Sequence, residues 1–421
     1  MTPRKIQIQV LVVLVAMLGY ATPALGQNAQ LINRQPQKIQ EPSKSLGSLS
    51  ERIFKRLTKA QLLLADQRFK DALEILDGLE TSTRNKPFGL AQVYQIKGFV
   101  YAQMNQFKNA ETYLRKALEL NAMPKRGTLS TMMTLAQIQM AQEKFAKAVP
   151  LIQDFIFNSE NPNARHYVAL AQCFAALKLY QAGVKPLRTA IRMEPKPRET
   201  WYQLLVALEY QSKNYRGAID GLTVLVKLKP NKEKYWRQLS TIYMANNRKV
   251  EALAAMEISY KKGFLDKEKE ILHLISLYYD QGVPWKAAKI MEDSIQKGLV
   301  KKTQKNLELV SSLWSESRDV DKALEFLALA APIAKNGQVY VRQGTLFLEK
   351  ENWEEASKSL VKGIAKGKLR KPGFAYLSLG ISQYNQAQYS NARGSFEKAM
   401  ATEYSKRQAE QWIAHLESEG R

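Results

Sequence analysis

The chain has 421 residues, of which 45% are hydrophobic and 24% charged, enough apolar material for a folded core and too much for wholesale disorder. A single cysteine, Cys173, excludes a disulfide scaffold, and His166, His273 and His415 lie too far apart in sequence to form a Cys/His zinc site. Lys+Arg total 63 against 39 Asp+Glu, leaving a formal charge of +24 that points to an anionic partner without specifying it; no P-loop or dinucleotide fingerprint occurs.

In chain order, residues 1–26 read as a signal peptide. Arg4 and Lys5 form a basic start, Val10 to Leu18 is an unbroken apolar run, and Ala24-Leu25-Gly26 is a small-x-small cleavage site. The run is shorter than the ~20 residues a membrane span requires. No later stretch is long and apolar enough to span, and no cysteine follows the cleavage site to take a lipid. The expected destination is extracytoplasmic, most simply a bacterial periplasm, which argues against nucleic acid as the anionic partner. Cys173, between Gln172 and Phe174 in an apolar helix, is expected to be a buried structural thiol. Residues 27–47 are rich in Gln, Asn, Pro and Ser and are expected to form a flexible linker. Ser48-Leu49-Ser50-Glu51 has the spacing of a capping box and starts the first helix.

From residue 51 one pattern recurs. A bulky residue stands three before a small one inside an amphipathic helix: Phe69/Ala72, Phe107/Ala110, Phe145/Ala148, Tyr180/Gly183, Tyr215/Ala218, Lys249/Ala252, Trp285/Ala288, Val320/Ala323, Trp353/Ala356 and Tyr389/Ala392. The small residues are 33 to 38 positions apart. Twelve before them stand Ala60, Gly98, Ala136, Ala171, Ser240, Ser276, Ser311, Gly344 and Gly380, with Val206 the exception. Nine before them stand Tyr101, Phe174, Tyr243, Tyr279, Trp314 and Phe347, with Gln139, Glu209 and Gln383 departing. Pro195 and Pro230 mark the ends of second helices. Two antiparallel helices approach closely only where one contributes Gly, Ala or Ser, and a lone pair cannot bury its apolar face, so pairs stack.

Over residues 51–402 this pattern resembles the tetratricopeptide repeat, whose period is ~34 residues. The resemblance implies an all-α helix-pair solenoid, a right-handed superhelix of about ten repeats spanning residues 48–402. In Ser405–Glu419, the residues Ala409, Trp412, Ile413 and Leu416 share one helical face, so residues 403–421 are expected to hold a capping helix and tail.

No catalytic constellation stands out. Glu349/Glu351 and Glu354-Glu355 read as a solvated charge cluster before Trp353. The expectation is a non-enzymatic scaffold without cofactor or metal. Repeats of this type usually bind through the face made by each first helix, where the phase places Gln137, Met140, Gln172, Gln203, Tyr210, Arg237, Met244 and His273. That mixture suits an extended or helical peptide and does not match the lysine/asparagine clamp for a C-terminal carboxylate. Two basic stretches form a second candidate surface for anionic headgroups, acidic glycan or an acidic protein. The first is Lys185, Arg188 and Arg192 on one second-helix face; the second is Lys358, Lys362, Lys366, Lys368, Arg370 and Lys371 within residues 356–396, which contain no Asp or Glu.

Three phrases are more particular: Tyr278 to Ala288, Trp353-Glu354-Glu355-Ala356, and Ala409-Glu410-Gln411-Trp412-Ile413. Helix ends of the Lys-Gly-x-Leu kind recur at Lys262-Gly263-Phe264-Leu265, Lys297-Gly298-Leu299-Val300 and Gly367-Lys368-Leu369. This ensemble resembles the secreted tetratricopeptide-repeat proteins that accompany TonB/ExbB/ExbD energy-transduction clusters. The resemblance implies a periplasmic accessory of TonB-dependent iron-complex uptake; the alternative is an envelope-assembly or polysaccharide-export scaffold.

Overall fold

The computed structural model describes residues 30–40 and 49–421. The expected signal peptide lies outside the described residues, as do residues 41–48. Among the described residues no strand occurs and no helix is long and apolar enough to cross a membrane.

The chain divides into two compact units, Met1–Pro230 and Asn231–Arg421. The first contains five helix pairs: α1 (Glu51–Ala65) with α2 (Phe69–Thr83), α3 (Pro87–Gln103) with α4 (Phe107–Glu119), α5 (Lys125–Ala141) with α6 (Phe145–Asn158), α7 (Ala164–Ala176) with α8 (Tyr180–Met193), and α9 (Glu199–Gln211) with α10 (Tyr215–Leu228). The second contains α11 (Glu233–Ala245) with α12 (Lys249–Lys261), α13 (Glu268–Asp280) with α14 (Pro284–Gln296), α15 (Gln304–Glu316) with α16 (Val320–Ala330), α17 (Gln338–Glu349) with α18 (Trp353–Lys366), and α19 (Pro372–Asn385) with α20 (Tyr389–Met400), closed by α21 (Glu403–Ser418). Within each unit every helix packs on its partner and every second helix packs on the first helix of the next pair, the helix-pair solenoid expected from the sequence.

One turn, repeated ten times, sets this geometry. Two residues before each second helix the backbone enters the left-handed region: Gln67, Asn105, Glu143, Lys178, Lys213, Asn247, Gly282, Arg318, Glu351 and Ala387 have φ between 55° and 69°. The following N–H reaches back to the carbonyl five residues earlier, as from Arg68 to Leu63 and from Gln388 to Gln383, at 2.8 to 3.0 Å in all ten turns. This is the Schellman closure, which satisfies a helix-end carbonyl and reverses the chain in three residues. Only Gly282 adopts the conformation without a Cβ penalty; the other nine turns absorb that strain through the packing on either side.

The turns correct the repeat phase in two ways. In nine of the ten pairs the bulky residue is the first residue of the second helix, not an interior one. In pair seven that first residue is Pro284, whose missing N–H is harmless there. The anchor is consequently Ala287, not Ala288, although both are fully buried. The shift places Tyr278 in the core and leaves Tyr279 and Ser276 exposed. Elsewhere the expected anchors hold: Ala72, Ala110, Ala148, Ala218, Ala252, Ala323, Ala356 and Ala392 are completely buried.

Helix ends follow local chemistry. α8 and α10 stop two residues before Pro195 and Pro230, where a proline forbids continuation. Ser48 of the capping box expected at the first helix lies outside the described residues; Ser50 is the N-cap of α1, and its side chain makes no capping bond. A capping box forms at α7 instead, where Asn163 Oδ1 accepts from the Arg165 N–H and His166 Nδ1 accepts from the Asn163 N–H.

At the C-terminal end Ala409 and Leu416 of α21 are buried against pair ten. Trp412 stacks on Phe396 with centroids 5.5 Å apart and packs on Tyr384 at 5.2 Å. The expected cap face is the one that packs.

Candidate peptide-binding face of the first unit

On the first-helix side of the first unit lies a solvent-open cavity of about 520 Å3. The first helices α5 and α7 supply Met133, Gln137, Met140, Arg165 and His166, and Phe107 closes one edge from the start of α4. The lining follows from the repeat: on α5, Leu135 and Ala136 turn inward, which leaves exposed Gln137 and half-buried Met133 and Met140 on the other face, Met140 also packing on the cluster around Ala148 and Ile152. Methionine offers a polarisable, adaptable apolar surface, glutamine supplies both a donor and an acceptor, and Arg165 adds a cation. A segment of peptide, with apolar side chains and backbone polar groups, meets these three requirements.

His166 is held in place. Burial lowers its pKa, its Nδ1 is occupied by the Asn163 N–H at 3.1 Å, and its ring lies 4.4 Å from that of Phe155. It is therefore a neutral, oriented wall of the cavity at pH 7. The helical phase that selects His273 gives no sign of His166, whose sequence signal is the Asn163-x-x-His166 spacing at a helix start. His273 is an exposed residue of α13.

Of the groove residues expected from the sequence, only Gln137 and Met140 line this cavity. Gln172 on α7 and Gln203 on α9 are half-buried on their own helices, and Gln203 donates to Glu199 at 3.2 Å. Tyr210 packs on Tyr215 with centroids 5.8 Å apart. In the second unit Met244 packs against the hydrophobic core. Arg237, expected to serve as a groove cation, is committed to Glu233, Asp266, Glu270 and the Phe264 carbonyl. Its charge is neutralised within the repeat array, because guanidinium matches several acceptors at once.

The basic residues are similarly divided. Lys185, Arg188 and Arg192 are exposed on α8, but Arg188 donates to the buried carboxylate of Glu209 at 2.5 and 3.0 Å. Lys358 pairs with Glu354 and Glu355, Lys366 lies over the Tyr340 ring at 5.4 Å and Lys371 over Tyr404 at 3.8 Å. Lys362, Lys368 and Arg370 are exposed beside them. Cys173 is buried, and burial pushes its thiol up to about 12, the state of a structural rather than a reactive cysteine.

Part of the segment expected to be a linker has defined structure. Residues 30–33 are helical, and the residues after them, without regular secondary structure, hydrogen-bond to α6. The Arg34 guanidinium donates to both carboxylate oxygens of Asp154 at 2.7 Å each.

Family models of the tetratricopeptide repeat match residues 91–122 and 133–197, which include most of pairs two to four. No curated protein matches the chain. Among solved structures, the chain is similar to residues 41-end of MamA from Desulfovibrio magneticus RS-1 (16% identity over 44% of this chain and 99% of that one, TM-score 0.36). It is similar also to YrrB, described as a TPR protein with an unusual peptide-binding site (11% identity, 46% and 97%, TM-score 0.36). A third is the C-terminal part of a TPR repeat-containing protein from Cytophaga hutchinsonii (14% identity, 65% and 93%, TM-score 0.36). Likenesses at these scores indicate nothing about a partner.

Proposed function

We propose that the chain is a non-enzymatic scaffold of the periplasm that holds a protein partner through the first-helix face of its first unit. The observation that carries this reading is the open cavity between α5 and α7, whose Met133, Gln137, Met140, Arg165 and His166 offer apolar, amide and cationic contacts together. Tetratricopeptide repeats bind protein or peptide partners, and the absence of a membrane-spanning helix among the described residues fits a scaffold that is not anchored by one.

The partner we propose is a component of TonB-type energy transduction. Support comes from the signal-peptide pattern and from the phrases at Tyr278 to Ala288 and at Trp412. An extended periplasmic segment that must reach across the envelope is the kind of ligand an elongated first-helix face accommodates.

The test places a photo-crosslinking residue at Met133 and at Gln137 in cells grown on chelated iron. A crosslink to the periplasmic TonB segment, lost on Met140→Glu with Arg165→Glu, is the expected result. A crosslink to another protein, lost in the same variant, keeps the cavity and replaces the partner. Normal iron-complex uptake in a strain lacking the gene, with no crosslink at either position, overturns both.

A further inference from the structure

The second helix of pair three carries another recognition surface, distinct from the cavity between α5 and α7. Asp154 and Asn158 lie four residues apart on α6, hence on one face, and both are buried. What buries them is a stretch of chain about 120 residues earlier in sequence. Arg34 forms a bidentate pair with Asp154, and the Gln37 N–H also donates to Asp154 Oδ1 at 2.7 Å. Asn158 reads backbone: its Oδ1 accepts from the Ile39 N–H at 2.8 Å and its Nδ2 donates to the Gln37 carbonyl at 2.7 Å. Gln153 Nε2 donates to the Leu31 carbonyl at 3.3 Å, while Leu31 joins the apolar cluster around Ala148 and Ile152.

This is how a receptor treats a peptide. An extended segment has backbone donors and acceptors that no partner in its own strand can satisfy. The amide of Asn158 supplies one of each and so replaces a neighbouring strand, without regard to side-chain identity. The carboxylate of Asp154 adds selectivity for a planar, forked cation, which arginine provides and lysine does not. The ligand is shaped in advance: Pro36 fixes its own φ, and a residue before proline, here Gln35, is held to extended conformations. The contacts are few, and Gln35, Gln37, Lys38 and Gln40 remain exposed.

We infer that the Asp154–Asn158 face of α6 is a binding site for an extended, proline-containing, basic peptide with a required arginine, and that residues 31–39 of this chain occupy it as an internal competitor. An external segment with the same arginine spacing gains the site only by displacing them.

A charge swap on the full mature chain tests this. The probe is a fluorescent peptide of residues 30–40, followed by anisotropy. Arg34→Glu in the chain sets a carboxylate against Asp154 and frees the site. That variant should bind the native-sequence peptide at least ~10-fold more tightly than the parent chain does, the parent's site being filled. Asp154→Arg likewise repels its own Arg34, and should bind the peptide carrying Arg34→Glu while rejecting the native-sequence peptide. Arg34→Lys in the peptide should weaken binding to the Arg34→Glu chain. Circular dichroism of both chains verifies the fold, and because each variant must bind one peptide, neither can mimic the result by unfolding. Binding that ignores the charge pairing, or no binding in either matched combination, overturns the inference.

Discussion

Nine residues before the anchor, pairs three and five of the first unit bury Gln139 and Glu209, whereas pairs seven and eight of the second bury Tyr278 and Trp314. Phe174 of pair four keeps the aromatic rule, but a wider contrast separates the units. Among the described residues the buried charged side chains, Lys97, Glu111, Asp154 and Glu209, all belong to the first unit, and the buried polar residues of the second are serines and Asn306. In the first unit the apolar residues fall into separate small clusters; in the second one cluster continues from Met256 to Leu346, through pairs six to nine. A buried ion needs fixed partners and space, and each one interrupts apolar continuity. Gly217 shows the space: a Cβ there would lie 2.6 Å from the Glu209 carboxylate, so glycine is required for that carboxylate to meet Arg188 and Asn214.

The second unit places its ions at the rim and repeats them. Glu257 meets Lys286, Glu292 meets Lys322 and Asp321 meets Lys350, at separations of 29 or 30 residues, each linking one second helix to the next pair. Arg237 with Glu270 and Glu308 with Arg342 do the same between first helices, 33 and 34 apart. The lesson is that one fold tolerates two chemistries at its seams: buried ions in one unit, a continuous apolar seam with a rim of partly buried pairs in the other.

The sharpest way to break this comparison is Arg188→Ala. It leaves the Glu209 carboxylate, 1% exposed, held by Asn214 without its cation, and should destabilise the first unit by about 3 kcal/mol. Chemical denaturation followed by circular dichroism measures it; a loss below ~1 kcal/mol would mean the buried ions of the first unit behave like rim ions. Next come Ala110→Trp and Ala392→Trp, one in each unit. Both sites are fully buried, and overpacking should cost about 1–3 kcal/mol in either. Similar losses would show that the helix-pair contact is common to both units and that only the seams differ; unchanged melting in both would mean the repeat phase is wrong.

Acid separates the seams in another way. Burial acts to raise the Glu257 pKa, but the ammonium groups of Lys286 and Lys261, at 2.7 and 2.9 Å, outweigh it and bring the group from its ordinary 4.5 down to about 2. A depressed carboxylate contributes stability that is complete above the unfolded value and is lost as pH falls through the folded one. Its contribution should therefore disappear between about pH 4.5 and 2, and Glu257→Gln should flatten that part of a melting-against-pH profile. A profile unaltered by the substitution would refute the assignment. The smallest effect is expected from Lys322→Ala, which removes a half-exposed partner of Glu292 and a cation over Trp314 and should cost no more than about 1 kcal/mol. High salt should shrink the difference further; a large, salt-insensitive loss would place Lys322 with the buried ions.

The repeat was legible because its signals are local and recur: a small residue at each close approach, a bulky residue at nine of the ten second-helix starts, prolines after α8 and α10. The one-residue slip at pair seven came from reading Trp285 as the bulky marker when Pro284 takes the first helical position. The candidate site was legible only in part. Phase alone put Gln137 and Met140 on the first-helix face, because helical period dictates facing. Glu233, four residues before Arg237 on α11, was a legible partner, but phase could not say that Asp266 and Glu270 would also consume Arg237, since those two are brought to it by the packing of pair six on pair seven.

By itself, then, the sequence determined the helix-pair period, the anchors of nine repeats, the cap face of α21 and the inertness of Cys173, each a matter of local pattern or composition. Only the tertiary structure decided which cations are already paired, why Glu209 departs from the aromatic rule, and that residues 31–39 of an apparent linker lie on α6. Those features depend on contacts between residues from 21 to about 120 positions apart, and a side chain carries no local mark of the partner that folding brings to it.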